Sequence, residues 1–86
     1  MRPATGVSWV VENYGVTVTR PAGALFLSIP YPYAALWALI ADGNYRAEFA
    51  SRLLATLVPT DEQEAGHVAQ RTLQQWIEEE LVTLTD

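Results

Sequence analysis

The hydrophobic period of the sequence changes once, and this change constrains the fold more than any other feature. Up to Pro30, short runs of β-branched and aromatic residues are separated by turn residues. One of them, Val16–Arg20, alternates apolar and polar residues, which is typical of a half-buried strand. Beyond this point Tyr33, Trp37 and Ile40 recur at the spacing of one helix face. The sequence therefore predicts strands first and helices afterwards.

Turn residues divide the first part of the chain into three strand-like runs. Asn13–Gly15 and Pro21–Gly23 are rich in residues that favour tight turns. The predicted strands are Ser8–Glu12, Val16–Arg20 and Ala24–Ser28. Such short connections indicate an antiparallel meander. Residues 1–6 show no comparable pattern, and we expect them to be flexible.

The second part of the chain predicts three helices. Gly43 suits the position just after the first helix, and Asn44 can cap the second. Pro59 would end the second helix, and Thr60 with Gln63 fits the S/T-x-x-Q pattern of a capping box, which predicts the start of the third. The apolar stripes of the second and third helices comprise Phe49, Leu53, Leu54 and Leu57, then Ala65, Val68, Ala69, Leu73, Trp76 and Ile77. This order predicts one α+β domain over residues 1–86.

The charge balance disfavours nucleic acid and anionic membranes as partners. Ten acidic residues face five basic ones, which gives a net charge of −5. The basic residues are all arginines: Arg2, Arg20, Arg46, Arg52 and Arg71. Proteins that bind nucleic acid need clustered cations, whereas these are scattered. The chain has no cysteine, so disulfides and thiolate chemistry are excluded.

One uncharged stretch, Pro21–Ala41, is about long enough to span a bilayer. Pro30 and Pro32 interrupt it, and its first half alternates like a strand. We therefore interpret it as a buried strand that runs into a buried helix. The sequence shows no signal-peptide pattern, and we expect a cytoplasmic location without membrane partners.

No set of residues marks an active site. His67 is the only histidine, and no carboxylate or nucleophile stands at a spacing that would orient it. The acidic run Glu78–Glu80 cannot converge on one metal ion, because consecutive helix residues point in different directions. Phosphate loops and dinucleotide-binding motifs are absent. The sequence predicts a protein that is not an enzyme and has no cofactor or metal.

Aromatic residues are frequent for so short a chain. Trp37 and Trp76 fall on the apolar stripes of their helices and are predicted to be core residues, whereas Trp9 could be core or surface. The tyrosines with most freedom to contact a ligand are Tyr14, Tyr31 and Tyr33.

The stretch Ile29–Gly43 (IPYPYAALWALIADG) resembles the first-helix signature of PqqD-like proteins. The matching positions are Ala34, Leu36, Trp37, Leu39, Ile40, Asp42 and Gly43. Val68–Val82 is similar to the final helix of the family, which ends in Gly-Leu-Ile/Val. Leu81 and Val82 match this ending, but Glu80 replaces the glycine. The start of the second helix also departs from the family pattern.

This resemblance implies a winged-helix-like fold and a peptide-binding role. PqqD-like proteins are recognition elements for ribosomally made precursor peptides, and they present the leader peptide to a modifying enzyme, often a radical S-adenosylmethionine enzyme. The leader adds as a strand beside the third strand and lies against the third helix. Ala24–Ser28 carries neither charge nor proline that would prevent such pairing. The implied peptide-binding residues are Ala24, Leu25, Phe26, Leu27, Ser28, Gln70, Arg71, Gln74 and Gln75.

Two other functions fit the same order of elements. A winged-helix DNA-binding domain could share the fold, but its last helix would need cations, and here Arg71 is opposed by Glu78–Glu80. Alternatively, the edge strand could pair with a second copy of itself, which would make the chain a self-associating accessory protein, for example a homodimer.

Overall fold

Three strands paired in sequence order are followed by three helices, which confirms the predicted α+β arrangement. The structure, a computed structural model, describes residues 1–20, 26–58 and 60–84. Its elements are β1 (Arg2–Pro3), β2 (Ser8–Glu12), β3 (Gly15–Thr19), β4 (Phe26–Pro30), α1 (Tyr33–Ala41), α2 (Ala47–Leu57), α3 (Glu62–Glu78) and β5 (Val82–Thr83). Strands β1 and β5 form a separate two-stranded sheet that the sequence did not predict.

Strand β3 lies at the centre of the main sheet, between β2 and β4, and both pairs are antiparallel. A two-residue loop joins β2 to β3, so Glu12 and Gly15 exchange hydrogen bonds. The bonding direction alternates along an antiparallel strand. Val16 and Val18 therefore direct their backbone groups towards β4. The outer edges of the sheet are β2 and β4.

The core lies between the main sheet and the helices. Its largest fully buried side chains are Trp37, Leu36, Ile40, Leu54, Leu81 and Val18. The Trp37 ring makes edge-to-face contacts with Trp9 and Trp76, at centroid distances of 5.7 and 5.5 Å. The predicted core positions of Trp37 and Trp76 are confirmed, whereas Trp9 keeps 38% of its surface exposed.

Helix α1 ends in a Schellman motif that contains Gly43. The Gly43 N–H donates to the Ile40 carbonyl at 3.1 Å, and the Asn44 N–H donates to the Leu39 carbonyl at 2.9 Å. Gly43 has a φ of +74°, a conformation that glycine adopts without a Cβ penalty. The predicted role of Gly43 is therefore confirmed.

The prediction that Asn44 caps the second helix is wrong. Helix α2 begins at Ala47, and its N-cap residue is Arg46, which has an extended backbone and no side-chain cap hydrogen bond. Asn44 lies two residues before the N-cap position, in the turn that closes α1, where its N–H donates to the Leu39 carbonyl.

The predicted capping box at the start of α3 is also wrong. Asp61 is the N-cap, and its carboxylate accepts a hydrogen bond from the Glu64 N–H at 2.7 Å. Thr60 and Asp61 are both good cap residues. Since the helix begins at Glu62, Asp61 takes the position next to it and Thr60 does not.

Helix α3 ends in the same motif as α1, but with a glutamate where α1 has a glycine. The Glu80 N–H donates to the Ile77 carbonyl at 3.0 Å, and the Leu81 N–H donates to the Trp76 carbonyl at 2.9 Å. Glu80 has a φ of +62°. This is the position at which the PqqD-like pattern has glycine, so the departure noted in the sequence falls on a backbone conformation that favours glycine.

The buried face of α2 differs from the predicted stripe. Phe49 and Leu57 are 45% and 50% exposed, so their predicted core positions are wrong, whereas Leu54 is buried. Helices α2 and α3 approach closely at Ser51 and Gly66, where a Cβ on the glycine would lie 2.9 Å from the serine Oγ. The buried residues of α2 are Ala50 and Leu54, so Phe49 and Leu57 lie outside its packed face.

The third strand extends two residues beyond its predicted end. The predicted strand is Ala24–Ser28, and β4 runs from Phe26 to Pro30. Ala24 and Leu25 lie outside the described residues. Ile29 and Pro30 continue the pairing with β3, so Leu27 and Ile29 share a face of the sheet.

None of the helices in the described ranges is long and apolar enough to cross a membrane. The described parts of the uncharged stretch Pro21–Ala41 form β4 and α1. Among the described residues, no group of three or more His, Asp or Glu side chains is placed to hold a metal ion.

Candidate functional site

The backbone of β4 bonds to β3 at every second residue. Just past its end, the Tyr31 N–H donates to the Tyr14 carbonyl at 3.1 Å, which continues the ladder. Counting back by two, Ile29 and Leu27 also direct their backbone groups towards β3. The residues between them point the other way.

Ser28 therefore directs both its N–H and its carbonyl away from the sheet, and Phe26 does the same. β3 is the strand neighbour of β4 within the described residues, so these groups form an open edge. Pro30 has the same orientation but no N–H, and it can offer a carbonyl alone. An incoming strand would find donors and acceptors at Phe26 and Ser28, and an acceptor without a donor at Pro30.

A cleft of about 480 Å³ lies between this edge and one flank of α3. Its lining comprises Leu27, Ser28, Ile29, Pro30, Tyr33, Val68, Arg71, Thr72, Gln75 and Trp76. Ile29 and Trp76 are almost fully buried and form part of its base, whereas Ser28 is exposed at its rim. The cleft thus joins an apolar base to an unpaired backbone edge.

The polar side of the cleft comes from α3. Thr72 donates its hydroxyl hydrogen to the Val68 carbonyl at 2.8 Å, and the Gln75 amide donates to the Glu79 carboxylate at 3.1 Å. Arg71 is exposed and forms no ion pair with any described residue. It is the one charged side chain among the described residues that line the cleft. A negatively charged group in the cleft would therefore be attracted to Arg71.

A smaller, mainly apolar pocket of about 70 Å³ shares Tyr33 and Val68 with the cleft. The rest of its lining comprises Pro32, Leu54, Val58, Thr60 and Ala65. Its size and lining suit a small aliphatic group.

The structure brings together some of the predicted site residues and separates others. Leu27, Ser28, Arg71 and Gln75 line the cleft. Phe26 belongs to the same edge through its backbone. The predicted residues Ala24 and Leu25 lie outside the described part of the chain.

Gln70 and Gln74 lie away from the cleft. Both line a hollow on the opposite flank of α3, next to Tyr45 and Ser51, and both also line an open hollow that includes Arg71. Since residues 74 and 75 are about 100° apart around a helix, they cannot both face β4. The structure thus brings Gln70 and Gln74 together with Arg71, and it brings Arg71 together with Gln75 in the cleft.

Several residues of the cleft were absent from the sequence-based set: Ile29, Pro30, Tyr33, Val68, Thr72 and Trp76. Ile29 and Pro30 are missing from that set because the predicted strand ends two residues before β4 does. Val68 and Trp76 were assigned to the core stripe, and the sequence cannot show that the same side chains also border a cleft. The sequence indicates Tyr33 as one of the tyrosines with freedom to contact a ligand, and this signal points to its place in the cleft.

Together these features define an α+β domain of winged-helix-like shape with an open sheet edge beside its last helix. The whole chain is similar to a solved structure described as TbiB1 in complex with the TbiA(beta) leader peptide, with a TM-score of 0.81, 14% sequence identity and 100% coverage of both chains. This likeness confirms the winged-helix-like fold predicted from the sequence, and at this identity it concerns the fold alone. No family model matches the sequence, and no curated protein matches it significantly.

Proposed function

We propose that this protein binds the leader of a ribosomally made precursor peptide by strand addition and presents it to a modifying enzyme. The observation that carries the proposal is the unpaired backbone of Ser28 next to the cleft along α3. An extended peptide would bond to this edge and direct every second side chain into the cleft. TbiB1, which has the same fold, was solved with a leader peptide, and this supports the proposed class of ligand.

The cleft indicates what the bound segment contains. Side chains that lie in the rows of Leu27 and Ile29 would face the apolar base, so these peptide positions should be apolar. A carboxylate near Arg71 would gain a favourable charge interaction. A peptide carbonyl opposite Pro30 would find no donor, because Pro30 has no N–H.

The proposed role is binding without catalysis. We infer that the chemistry belongs to a separate modifying enzyme, for which a radical S-adenosylmethionine enzyme is our first candidate, and that both act in the cytoplasm, where the precursor is made. Capture of the tagged protein from its native cell, followed by mass spectrometry, should recover a small precursor peptide together with an oxidoreductase. Recovery of neither would contradict this role.

DNA binding is not favoured. Helix α3 would be the recognition helix of a winged-helix DNA-binding protein, yet it carries Glu62, Glu64 and Glu78 against Arg71 alone. Duplex DNA would be repelled by such a surface at physiological salt. Tight binding to a DNA duplex that weakens steeply as salt is added would overturn this ranking.

A titration followed by amide NMR tests the peptide proposal directly. The ligand is a synthetic leader segment of the precursor peptide that is recovered with the protein from its native cell. We expect shifts at Ser28 and along the Val68–Gln75 flank of α3, together with a change in tryptophan fluorescence, since Trp76 borders the cleft. Shifts restricted to α1 and α2 would contradict the proposed site.

Two adjacent glutamines provide a matched pair of variants. Gln75→Trp places a bulky side chain in the cleft and should weaken peptide binding by about tenfold, which corresponds to about 1.4 kcal/mol. Gln74→Trp makes the same chemical change outside the cleft and should leave affinity within about twofold. Equal losses in both variants would show that the cleft does not hold the peptide.

A further inference from the structure

The second open edge of the main sheet, on β2, is apolar. All five residues of Ser8–Glu12 are exposed, and three of them are large hydrophobic residues: Trp9 at 38%, Val10 at 59% and Val11 at 68%. Helix α1 packs on β3 and β4. β2 therefore projects beyond the helices, and its contact with them is that of the Trp9 ring with the Trp37 ring of α1. Exposed apolar edge strands are templates for pairing with another strand.

The hydrogen-bond pattern determines which residues this edge offers. Because Glu12 bonds to Gly15 on β3, Ser8 and Val10 also direct their backbone groups inwards. Trp9 and Val11 direct theirs outwards, to the open edge. Two copies of β2 placed antiparallel, with Val10 opposite Val10, would bring Trp9 of each copy opposite Val11 of the other. Each of these two pairs exchanges two backbone hydrogen bonds, which makes four in all.

The side chains and charges are compatible with this register. Trp9 meets Val11 of the partner subunit on one face, and such aromatic and β-branched pairs favour sheet formation. On the other face, Val10 meets its own copy, and Glu12 lies opposite Ser8 of the partner subunit. The register brings no two like charges together across the strands, although the protein carries a net charge of −5.

We infer that β2 pairs with β2 of a second copy of this chain. The product is a six-stranded antiparallel sheet, with three strands from each copy and the two β4 edges at its outer ends. Both clefts remain open, so one dimer can hold two peptides. This interface is distinct from pairing through β4, which would occupy the edge that the peptide needs. An interface of one short strand buries little surface. We therefore expect a reversible dimer that forms at protein concentrations between about 10 µM and 1 mM.

Sedimentation velocity over this concentration range tests the proposal in the unmodified protein. We expect the mass to rise from 9.5 kDa towards twice that value. Amide hydrogen exchange at Trp9 and Val11 should slow as concentration increases, while exchange at Ser28 should not change. A mass that stays at 9.5 kDa up to about 1 mM would overturn the proposal, as would equal protection of Ser28.

Two lysine substitutions test the register. Val10→Lys places a lysine opposite its own copy and should raise the dissociation constant by about tenfold. Ser8→Lys adds the same charge to the same face of β2, but its partner across the interface is Glu12, so dimerisation should be unchanged or stronger. If both variants weaken the dimer equally, the proposed register is wrong.

Two proline substitutions separate this interface from the peptide site. Val11→Pro removes an outward N–H from β2 and leaves the ladder to β3 intact, so it should abolish dimerisation and preserve peptide binding. Ser28→Pro removes the corresponding N–H from β4 and should have the opposite effect. Loss of dimerisation in the Ser28 variant, with retention in the Val11 variant, would place the contact on β4 and overturn the proposal.

Discussion

Replacing Glu80 by glycine should stabilise the protein. Its φ of +62° is one that a residue with a Cβ adopts at a cost of roughly 1–2 kcal/mol. Glycine avoids this cost but gains freedom in the unfolded chain, which offsets roughly 0.4–1 kcal/mol. The net gain is about 1 kcal/mol, which raises Tm by about 4–8 °C in a domain of this size.

Glu80→Gln is the control that separates backbone conformation from charge. Both variants remove a negative charge from the C-terminal end of α3, where it opposes the helix dipole. Only Glu80→Gly also relieves the backbone. Urea denaturation at low and high salt should therefore rank the glycine variant above the glutamine variant at both salt concentrations. If the two variants have the same free energy of unfolding, the backbone argument is refuted.

The other Schellman motif allows the same argument to be tested in reverse. Gly43 has a φ of +74°, and a Cβ built on it would find no atom within 4 Å. Gly43→Ala therefore changes backbone preference without a steric clash, and it should destabilise the protein by about 1 kcal/mol. A neutral result would contradict the interpretation of both helix ends.

Three further predictions concern strand packing, ionisation and charge at the cleft. Gly15→Ala should destabilise the protein by about 3 kcal/mol or more in urea denaturation, because the new Cβ would lie 1.9 Å from the Ile29 carbonyl oxygen. A loss of stability below about 1 kcal/mol would contradict this close approach. Burial raises the pKa of Tyr45 above its ordinary 10.0, so this tyrosine ionises at lower pH in the unfolded chain than in the folded protein. The free energy of unfolding should therefore be constant below pH 10 and fall as the pH rises beyond it. Tyr45→Phe should lose less stability over the same range, and parallel pH curves for the two proteins would exclude this cause. Arg71→Ala should weaken an acidic leader peptide by about two- to fivefold at low salt and have little effect at high salt, whereas a loss that does not depend on salt would indicate that Arg71 acts by packing.

The order of the elements could be predicted because the hydrophobic period is a local property of the sequence. Where two nearby residues could serve the same purpose, prediction was less successful. Asn44 is a good cap by type, but it belongs to the turn that closes α1 and lies two residues before the N-cap of α2. Thr60 and Asp61 are both suitable caps, and only the start of α3 decides between them. The third strand extends two residues past its predicted end, because Ile29 and Pro30 still pair with β3.

The candidate site was only partly predictable, because it depends on how α3 is rotated against the sheet. Local sequence indicates which stripe of α3 is apolar, but not which polar flank of that stripe faces β4. The packing decides this: Gly66 admits α2 against one flank, and the other flank is left for Arg71 and Gln75 beside the open edge. The predicted Gln70 and Gln74 lie on the flank nearer α2.

The two open edges of the same sheet differ in what they can recognise. At β4, α3 supplies a wall, so an added strand would meet side-chain contacts as well as backbone groups, and its sequence would matter. At β2 no such wall is present among the described residues, and a guest strand would be selected mainly by its own alternation and charge. A second copy of β2 meets that requirement. In the antiparallel register the outward N–H and carbonyl groups of the two strands pair with each other, and their central residues are uncharged. One sheet can thus separate peptide binding from self-association, because its edges differ in their relation to a single helix.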